Sequence, residues 1–585
     1  MGQGDLSYAC AAALVDALVG SGVRHACLSP GSRSTPLALA LARDDGIDLH
    51  VQIDERSSAF MALGIAKATG RPAIVATTSG TAVAELLPAV IEASQGRVPI
   101  VLLTADRPPR LRGTGANQTI LQPGLFGEYV RATLDLPVPT TDGQDAWWRQ
   151  AAREALDAMY ADPVGPVHLN CPFEEPLTPD AGSVPVTPGS ESIDHPVRPE
   201  AELDPDEAER LRHLVSGARG AVVIGGSPGE MVDEASFWSE TIGWPVLGEP
   251  TSGARRPGAS LRAPQALIAS PTWLGSSRPD VVMQFGAHPT SRATQAFVGS
   301  AEQRVVADRW HLDPDPERLA TWRLAVDPGA LRRALTAHPL GETRIEEAVE
   351  REIHAPVRGV DPAPADWMDA WLEADARGDS MLHSFLLDSD EPFEPRIARD
   401  VAGWVPDGGA LFVGNSTPIR DLDLAMAPRD GLTVLANRGA SGIDGLVSTA
   451  IGVAAARRGP TVALVGDLSL LHDAGALLWN ATRGIDLAIV VVNNGGGHVF
   501  SLLPQRDLPE HERLFVTPHG LDLGALSRAA GAGHDRVERA RDLLPALDRA
   551  AGAGGLRVVE VTVDAELGLR RRQELRDEVD RVLTR

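Results

Sequence analysis

Lysine is almost missing from this chain: Lys67 is the only one, and every other residue among the 54 lysines and arginines is arginine. Beside 58 glycines and 45 prolines this skew is compositional, so an arginine carries functional weight only inside a motif. Cysteine is scarce too. Cys10, Cys27 and Cys171 are far apart and odd in number, which excludes a disulfide framework or a zinc site and fits a reducing compartment. No apolar run approaches the roughly eighteen residues of a membrane span. Residues 1–6 have no basic or apolar leader, and Leu6 stands where a myristoylation signal needs Ser or Thr, so a cytoplasmic location is expected. Positive charge is short overall: the net charge of -25 argues against a nucleic acid as the main partner.

What is present is ordinary globular composition, 43% apolar and 23% charged, in a chain of 585 residues that is too long for one core. Short apolar runs alternate with helical patterns, the mark of parallel α/β sheets. Strands are expected at 24–28, 49–53, 73–76, 100–103 and 167–169, then at 221–224, 281–285 and 305–307, and finally at 410–413, 433–435, 461–465, 487–492 and 557–563. The runs at 462–466 and 488–492 are continuous and β-rich, as in strands buried on both faces. The fold class is therefore α/β, with three doubly wound parallel-sheet domains: 1–177, a Pro/Ser/Asp-rich linker at 178–205, a smaller domain at 206–345, a helical connector at 346–394 with a polar break at 361–364, and 395–585. The first and third blocks are candidates for two copies of one fold, although their identity is too low to show it.

Chemistry gathers at two strand ends of the third block. Asp467 follows one buried strand through Gly466, and Asn493-Asn494-Gly495-Gly496-Gly497 ends another. Ligands of open parallel sheets sit beyond the carboxyl ends of strands. An aspartate, an asparagine and a backbone carbonyl give oxygen ligands for magnesium, which takes about six and draws some from phosphates. Glycines let the backbone approach those phosphates. A helix-capping Asp and a plain turn explain either half alone equally well; the pair together points to a site.

This pair resembles the diphosphate-binding signature of thiamine-diphosphate enzymes, which implies Mg²⁺, with Mn²⁺ a possible replacement, held by Asp467, Asn494 and the carbonyl of Gly496. Where most relatives have Gly-Asp-Gly-Ser, this chain has Gly466-Asp467-Leu468-Ser469, then His472-Asp473. That variant is similar to one branch, the 2-succinyl-5-enolpyruvyl-6-hydroxy-3-cyclohexene-1-carboxylate synthases of menaquinone biosynthesis, and it adds Leu468 and Ser469 to the cofactor lining.

In the first block Glu55 follows a strand and precedes a helix expected from 57 to 69. Alone it reads as a carboxylate complementing a helix dipole. The stretch 59–70 and Thr77-Thr78-Ser79-Gly80 resemble the pyrimidine-binding half of the same enzymes, which implies that Glu55 bonds the pyrimidine N1′ and promotes loss of the thiazolium C2 proton, work suited to a desolvated carboxyl. In that family the halves come from different subunits, so a homodimer or a dimer of dimers is implied.

The segment 28–36, with Ser32 and Arg33, forms a small-residue turn opening a helix, an anion site with a forked cation. It closely resembles the same synthases. So do 104–109 with Arg107, 115–118 with Asn117 and Gln118, 414–420 with Ser416 and Arg420, and 437–445 with Arg438 and Ile443. The resemblance implies 2-oxoglutarate and isochorismate as substrates, each with two carboxylates, and these arginines as their counter-charges. Arg33, Gln118 and Arg420 join Glu55 as catalytic candidates, and Ser416 and Arg438 also line the cofactor. Ile443 resembles the apolar wedge between the cofactor's rings; Phe500 and Leu503 resemble residues covering the site. Arg292, in a looser match, is the middle block's candidate cation, an exposed helix arginine being the equal alternative. Another thiamine-dependent carboligase or decarboxylase of the acetolactate synthase type is the competing enzyme reading. A nucleotide-binding scaffold is the non-catalytic one, although Gly225-Gly226-Ser227-Pro228-Gly229 lacks the dinucleotide spacing.

Overall fold

The computed structural model describes residues 2–180, 201–336 and 360–584, apart from Asp142, Pro228, Glu230, His311 and Thr482. Most of the expected linker (181–200), and the segment 337–359 around the expected start of the connector, lie outside the described residues.

Three parallel sheets organise the chain. The first holds β1 (His25–Leu28), β2 (Asp48–Val51), β3 (Ala73–Thr77), β4 (Ile100–Asp106), β5 (Thr133–Asp135) and β6 (Val167–Pro172) in the order β2-β1-β3-β4-β6-β5. The second holds β7 (Gly220–Ile224), β8 (Val246–Gly248), β9 (Val281–Phe285), β10 (Gln303–Ala307) and β11 (Trp322–Leu324) in the order β11-β10-β9-β7-β8. The third holds β12 (Ala410–Val413), β13 (Thr433–Ala436), β14 (Thr461–Gly466), β15 (Leu487–Asn493), β16 (Gly533–Val537) and β17 (Leu556–Thr562) in the order β13-β12-β14-β15-β17-β16. Ranked within its own block, the third order repeats the first, so the two blocks share one topology. Central strands such as β3, β4 and β7 are buried along their whole length, because helices cover both faces.

All thirteen expected strands are present within three residues at each end, and among the described residues four more join them: β5, β8, β11 and β16. Each of the four is an edge strand. The helix expected from 57 begins two residues earlier and spans Glu55–Thr69. The polar break at 361–364 ends at Pro364, where the helix Ala365–Leu387 starts. That helix lays Trp367 and Trp371 on the middle core, and the Trp367 indole N–H donates to the Gly220 carbonyl at 2.9 Å.

First and third blocks meet through equivalent helices, Glu55–Thr69 after β2 and Leu446–Ala456 after β13, which share one apolar core of Phe60, Met61, Leu63, Leu446, Val447 and Ile451. Glycines let them touch backbone to backbone. A Cβ on Gly64 would lie 2.0 Å from the Thr449 carbonyl oxygen, and one on Gly452 would lie 2.1 Å from that of Met61. Gln52 and Asn480, both buried, seal the contact by donating to each other at 2.7 and 3.1 Å.

Candidate active site

The strand order reverses between β1 and β3 and again between β12 and β14, so successive connections leave in opposite directions and open a crevice at the carboxyl ends. Asp467 sits at the second of these points, directly after β14, and Asn493 ends the neighbouring β15. Asp467 is buried; one carboxylate oxygen accepts the Leu468 amide at 2.7 Å and the other lies 3.2 Å from His519 Nε2. The Leu521 amide donates to His519 Nδ1 at 3.0 Å, which fixes the tautomer that donates to Asp467. Burial pushes the Asp467 carboxyl up from its ordinary value, opposed by the Leu468 amide, His519 and the Gly495 amide. A cation here would restore the charged form.

Two asparagines divide the labour next to it. Glu560 accepts from Asn493 Nδ2 at 2.7 Å and is itself 2.9 Å from His534, so the Asn493 oxygen turns inward to accept the Gly495 amide at 3.1 Å. Asn493 thus shapes the loop, and Asn494 remains for a ligand. Gly495 (φ +82°) has open space where a Cβ would stand, while a Cβ on Gly496 would lie 2.3 Å from the Val516 carbonyl oxygen. The loop is pressed against residues 515–516 on one side and open on the other, as a phosphate cradle requires. Among the described residues no group of three His, Cys, Asp or Glu is placed to hold a metal. One carboxylate, one amide oxygen and a carbonyl fit magnesium bridged to phosphates rather than a metal caged by protein alone. Leu468 is half-buried and Ser469 buried beside Asp467; Phe500 packs its ring 5.5 Å from that of Phe515, and Leu503 is half-buried just beyond.

Ser416 opens the helix Thr417–Ala425 with φ +74°, a strained value for a residue with a side chain. Its carbonyl accepts from Arg420. Buried Asn415 donates to the carbonyls of Asn437 and Gly442, each at 2.7 Å, and accepts from Arg438 at 3.1 Å, tying this turn to the loop 437–445. Ile443 protrudes from that loop, 37% exposed.

In the first block, Asp54 and not Glu55 caps the helix, accepting the Ser57 amide at 3.2 Å. Glu55 is left half-buried, its carboxyl raised by burial and further by Asp54 and Glu85. The turn 29–34 packs on the next strand end: a Cβ on Gly31 would lie 2.3 Å from the Thr78 Cβ. Arg107 donates to the Ser79 hydroxyl and to the Gln118 carbonyl, and Gln118, at φ +54°, donates back to the Ser79 carbonyl at 2.9 Å. Burial, and then the charge of nearby Arg33, lower the Arg107 guanidinium from its ordinary value, while Arg33 itself pairs with exposed Glu175 at 3.0 Å. Ser32 and Asn117 are exposed.

The middle block contributes Arg292, the first residue of a helix capped by Ser291. It is exposed, as the plain alternative required; the Arg420 guanidinium is depressed by burial first, then by the charge of Arg438 and, less, by that of Arg292. Behind it, buried Glu249 accepts from the Thr290 amide and, at 3.2 Å, from its hydroxyl, holding the turn from which Arg292 springs. Sequence motifs gave no sign of Glu249 or His519, because both act through contacts made only on folding. Among the described residues no hydrogen bond or ion pair joins Glu55 to Asp467. Arg33, Arg107, Ser79 and Gln118 gather in the first block, Asp467 stands with His519 in the third, and Arg420 feels the charges of Arg438 and Arg292.

A buried carboxylate beside a glycine cradle in one block, and a desolvated glutamate in its topological twin, define a thiamine-diphosphate enzyme. Residues 9–125 match the family described as "Thiamine pyrophosphate enzyme, N-terminal TPP binding domain", and residues 424–561 match its "C-terminal TPP binding domain" counterpart. The chain is 42% identical to the 2-succinyl-5-enolpyruvyl-6-hydroxy-3-cyclohexene-1-carboxylate synthase of Thermobifida fusca, over 98% of this chain and 99% of that one. It is 40% identical to the synthase of the same name from Saccharopolyspora erythraea, over 96% of each, and 39% identical to that of Chloroflexus aurantiacus, over 88% of this chain and 87% of that one. It belongs to the 2-succinyl-5-enolpyruvyl-6-hydroxy-3-cyclohexene-1-carboxylate synthase family.

Proposed function

We propose that the chain decarboxylates 2-oxoglutarate and adds the resulting four-carbon unit to the conjugated double bond of isochorismate, releasing CO₂ and 2-succinyl-5-enolpyruvyl-6-hydroxy-3-cyclohexene-1-carboxylate for menaquinone biosynthesis. The observation that carries this reading is the 42% identity, over 98% of this chain, to the synthase of Thermobifida fusca; Arg292 and Arg438, close enough for their charges to act on Arg420, add fixed cations from two domains in a protein of net charge -25. Substrates with four carboxylates between them need such a concentration of fixed cations.

Asp467, Asn494 and the Gly496 carbonyl would hold Mg²⁺ (or Mn²⁺) and, through it, the diphosphate, with Leu468, Ser469, Ser416 and Arg438 around it. Ile443 would press between the cofactor's rings. Bound thiamine diphosphate supplies the electron sink for loss of CO₂. Glu55 holds and moves the proton at the pyrimidine N1′, a task suited to a carboxyl that burial raises above its ordinary value. Ser32, Arg33, Arg107, Asn117 and Gln118 on one side, and Arg292 and Arg420 on the other, orient the carboxylates and stabilise developing charge. Phe500 and Leu503 exclude water. A second copy completes each site in a homodimer or a dimer of dimers. In support, large apolar side chains stand exposed beside the half-sites: Ile53 (57%) next to Glu55, Leu121 (73%) next to Gln118, and Leu502 and Leu514 around Phe500. The domains are assigned as 1–177, 206–345 and 395–585. Among the described residues no helix is long and apolar enough to cross a membrane, which is compatible with a cytoplasmic enzyme.

The test is CO₂ release from 2-oxoglutarate with thiamine diphosphate and Mg²⁺, with and without isochorismate. The expected result is turnover and a six-membered-ring product only with both substrates. Equal CO₂ release without isochorismate, or carboligation of pyruvate, would replace this reading with a decarboxylase or acetolactate synthase type.

A further inference from the structure

The sole lysine stands in an expensive place. Lys67 and Glu92 pair at 3.6 Å with side chains only 12% and 3% exposed, between the helices Glu55–Thr69 and Leu87–Gln95 and the third domain. An apolar pair fills such a space at lower desolvation cost, so a buried ion pair calls for another use.

Its contacts name that use. Glu92 Oε1 accepts the Gly439 amide at 2.8 Å, and Oε2 accepts those of Ala440 at 2.7 Å and Ser441 at 3.3 Å. Lys67 Nζ donates to the carbonyl of Ala436, the last residue of β13, at 2.8 Å. One carbonyl and three successive amides at the root of the loop 437–445 are thus held by two side chains of the first domain. Contact is close: a Cβ on Gly439 would lie 2.5 Å from the Glu92 carbonyl oxygen and 2.7 Å from the Gly96 nitrogen. The loop needs holding, because Ser441 sits at φ +62° without being glycine. Elsewhere in this chain arginine has taken the basic positions; here a compact ammonium fits between a carbonyl and a carboxylate, where a planar guanidinium fork does not.

We propose that Lys67 and Glu92 are positioning residues: the first domain uses them to set the loop 437–445 in the shape that presents Arg438 and Ile443 to the cofactor. This rests on the cofactor reading above. The pair touches no reacting atom; it acts through the loop backbone.

The experiment uses the full-length protein as wild type, as Glu92→Gln, and as Glu92→Gln with Lys67→Met, which removes the unpaired buried charge. Three quantities are read: the melting temperature without cofactor, the dissociation constant for thiamine diphosphate at saturating Mg²⁺, and the rate of deuterium exchange at C2 of the bound cofactor. The expected result is a dissociation constant raised roughly tenfold in both variants, the scale of a lost charge-assisted hydrogen bond, with slowed exchange. The double variant regains melting temperature without regaining cofactor affinity. Wild-type binding and exchange in the variants overturn the proposal. So does affinity that rises and falls only in step with melting temperature, failure of both variants to fold included. Wild-type protein that does not bind thiamine diphosphate overturns the underlying cofactor reading instead.

Discussion

The first and third domains share a strand order and a reversal point, yet they place opposite chemistry at the carboxyl ends of their strands. After β1 and β2 the first domain sets Arg33 and Glu55; after β14 and β15 the third sets Asp467 and the loop 493–497. Glu55 is half-buried and close to other carboxylates, whereas Asp467 is buried against His519. One topology therefore provides two crevices, and the residues at the strand ends set their chemistry: under the proposed function one would handle protons while the other would hold a metal and phosphates.

That contrast is sharpest under two substitutions. Glu55→Gln is expected to lower kcat by about 10²–10⁴-fold, the range for lost acid–base catalysis, with cofactor binding retained. Burial disfavours the ionised carboxyl in the folded state, so the neutral amide leaves melting temperature at neutral pH unchanged or raised. Near-normal turnover in this variant would strip Glu55 of its role. Asp467→Asn is expected to act the other way, weakening Mg²⁺-dependent thiamine diphosphate binding by at least the ~10–100-fold that a lost outer-shell partner costs. Titration of cofactor-induced thermal stabilisation measures it; stabilisation equal to wild type would remove the metal from this residue.

The helices after β2 and β13 meet reciprocally, Gly64 on the Thr449 carbonyl and Gly452 on that of Met61. Neither backbone has a flexible side chain to move aside. Gly64→Ala is therefore expected to destabilise by about 1–3 kcal/mol, a few degrees in melting temperature, with little change in kcat for the folded fraction. A melting temperature equal to that of wild type would show that the two domains separate more readily than this packing implies.

Sequence patterns disclosed the interior of this molecule better than its rims. Strands covered on both faces, such as β4 and β15, announce themselves as continuous apolar runs. β5, β11 and β16 are edges that pair on one side only and carry polar residues such as Asp135, Arg323 and His534, so no run marks them. The site divides in the same way. Asp467 and Glu55 lie at strand ends inside motifs and were legible. The pairing of Lys67 with Glu92, the grip of Glu249 on Thr290 and the His519 contact join segments far apart in the chain, and no local pattern encodes them. Arg292 is intermediate: its motif is loose, and only folding brings it near Arg420.

The smallest expected effect separates how the two equivalent helices are capped. Asp54 caps the first from the adjoining residue and stays partly exposed. The second has no capping side chain of its own; buried Asp473 reaches in from outside, accepting the Ser448 amide at 2.6 Å and its hydroxyl at 3.0 Å, with Arg56 of the first domain 3.9 Å away. Burial raises the Asp473 carboxyl to about 6, although those donors and Arg56 pull it down. As pH rises from about 4, the unfolded chain gives up this proton first while the folded one keeps it to about 6, so the contribution to stability drains across that window and is level above it. Asn at this position does not titrate. The stability gap between wild type and Asp473→Asn should thus be widest in acid and narrow by about 1 kcal/mol between pH 5 and 7, each pH unit below the folded pKa counting about 1.4 kcal/mol. A gap for Asp473→Asn that stays flat or widens toward pH 7 would mean that this carboxylate is already ionised in the folded state.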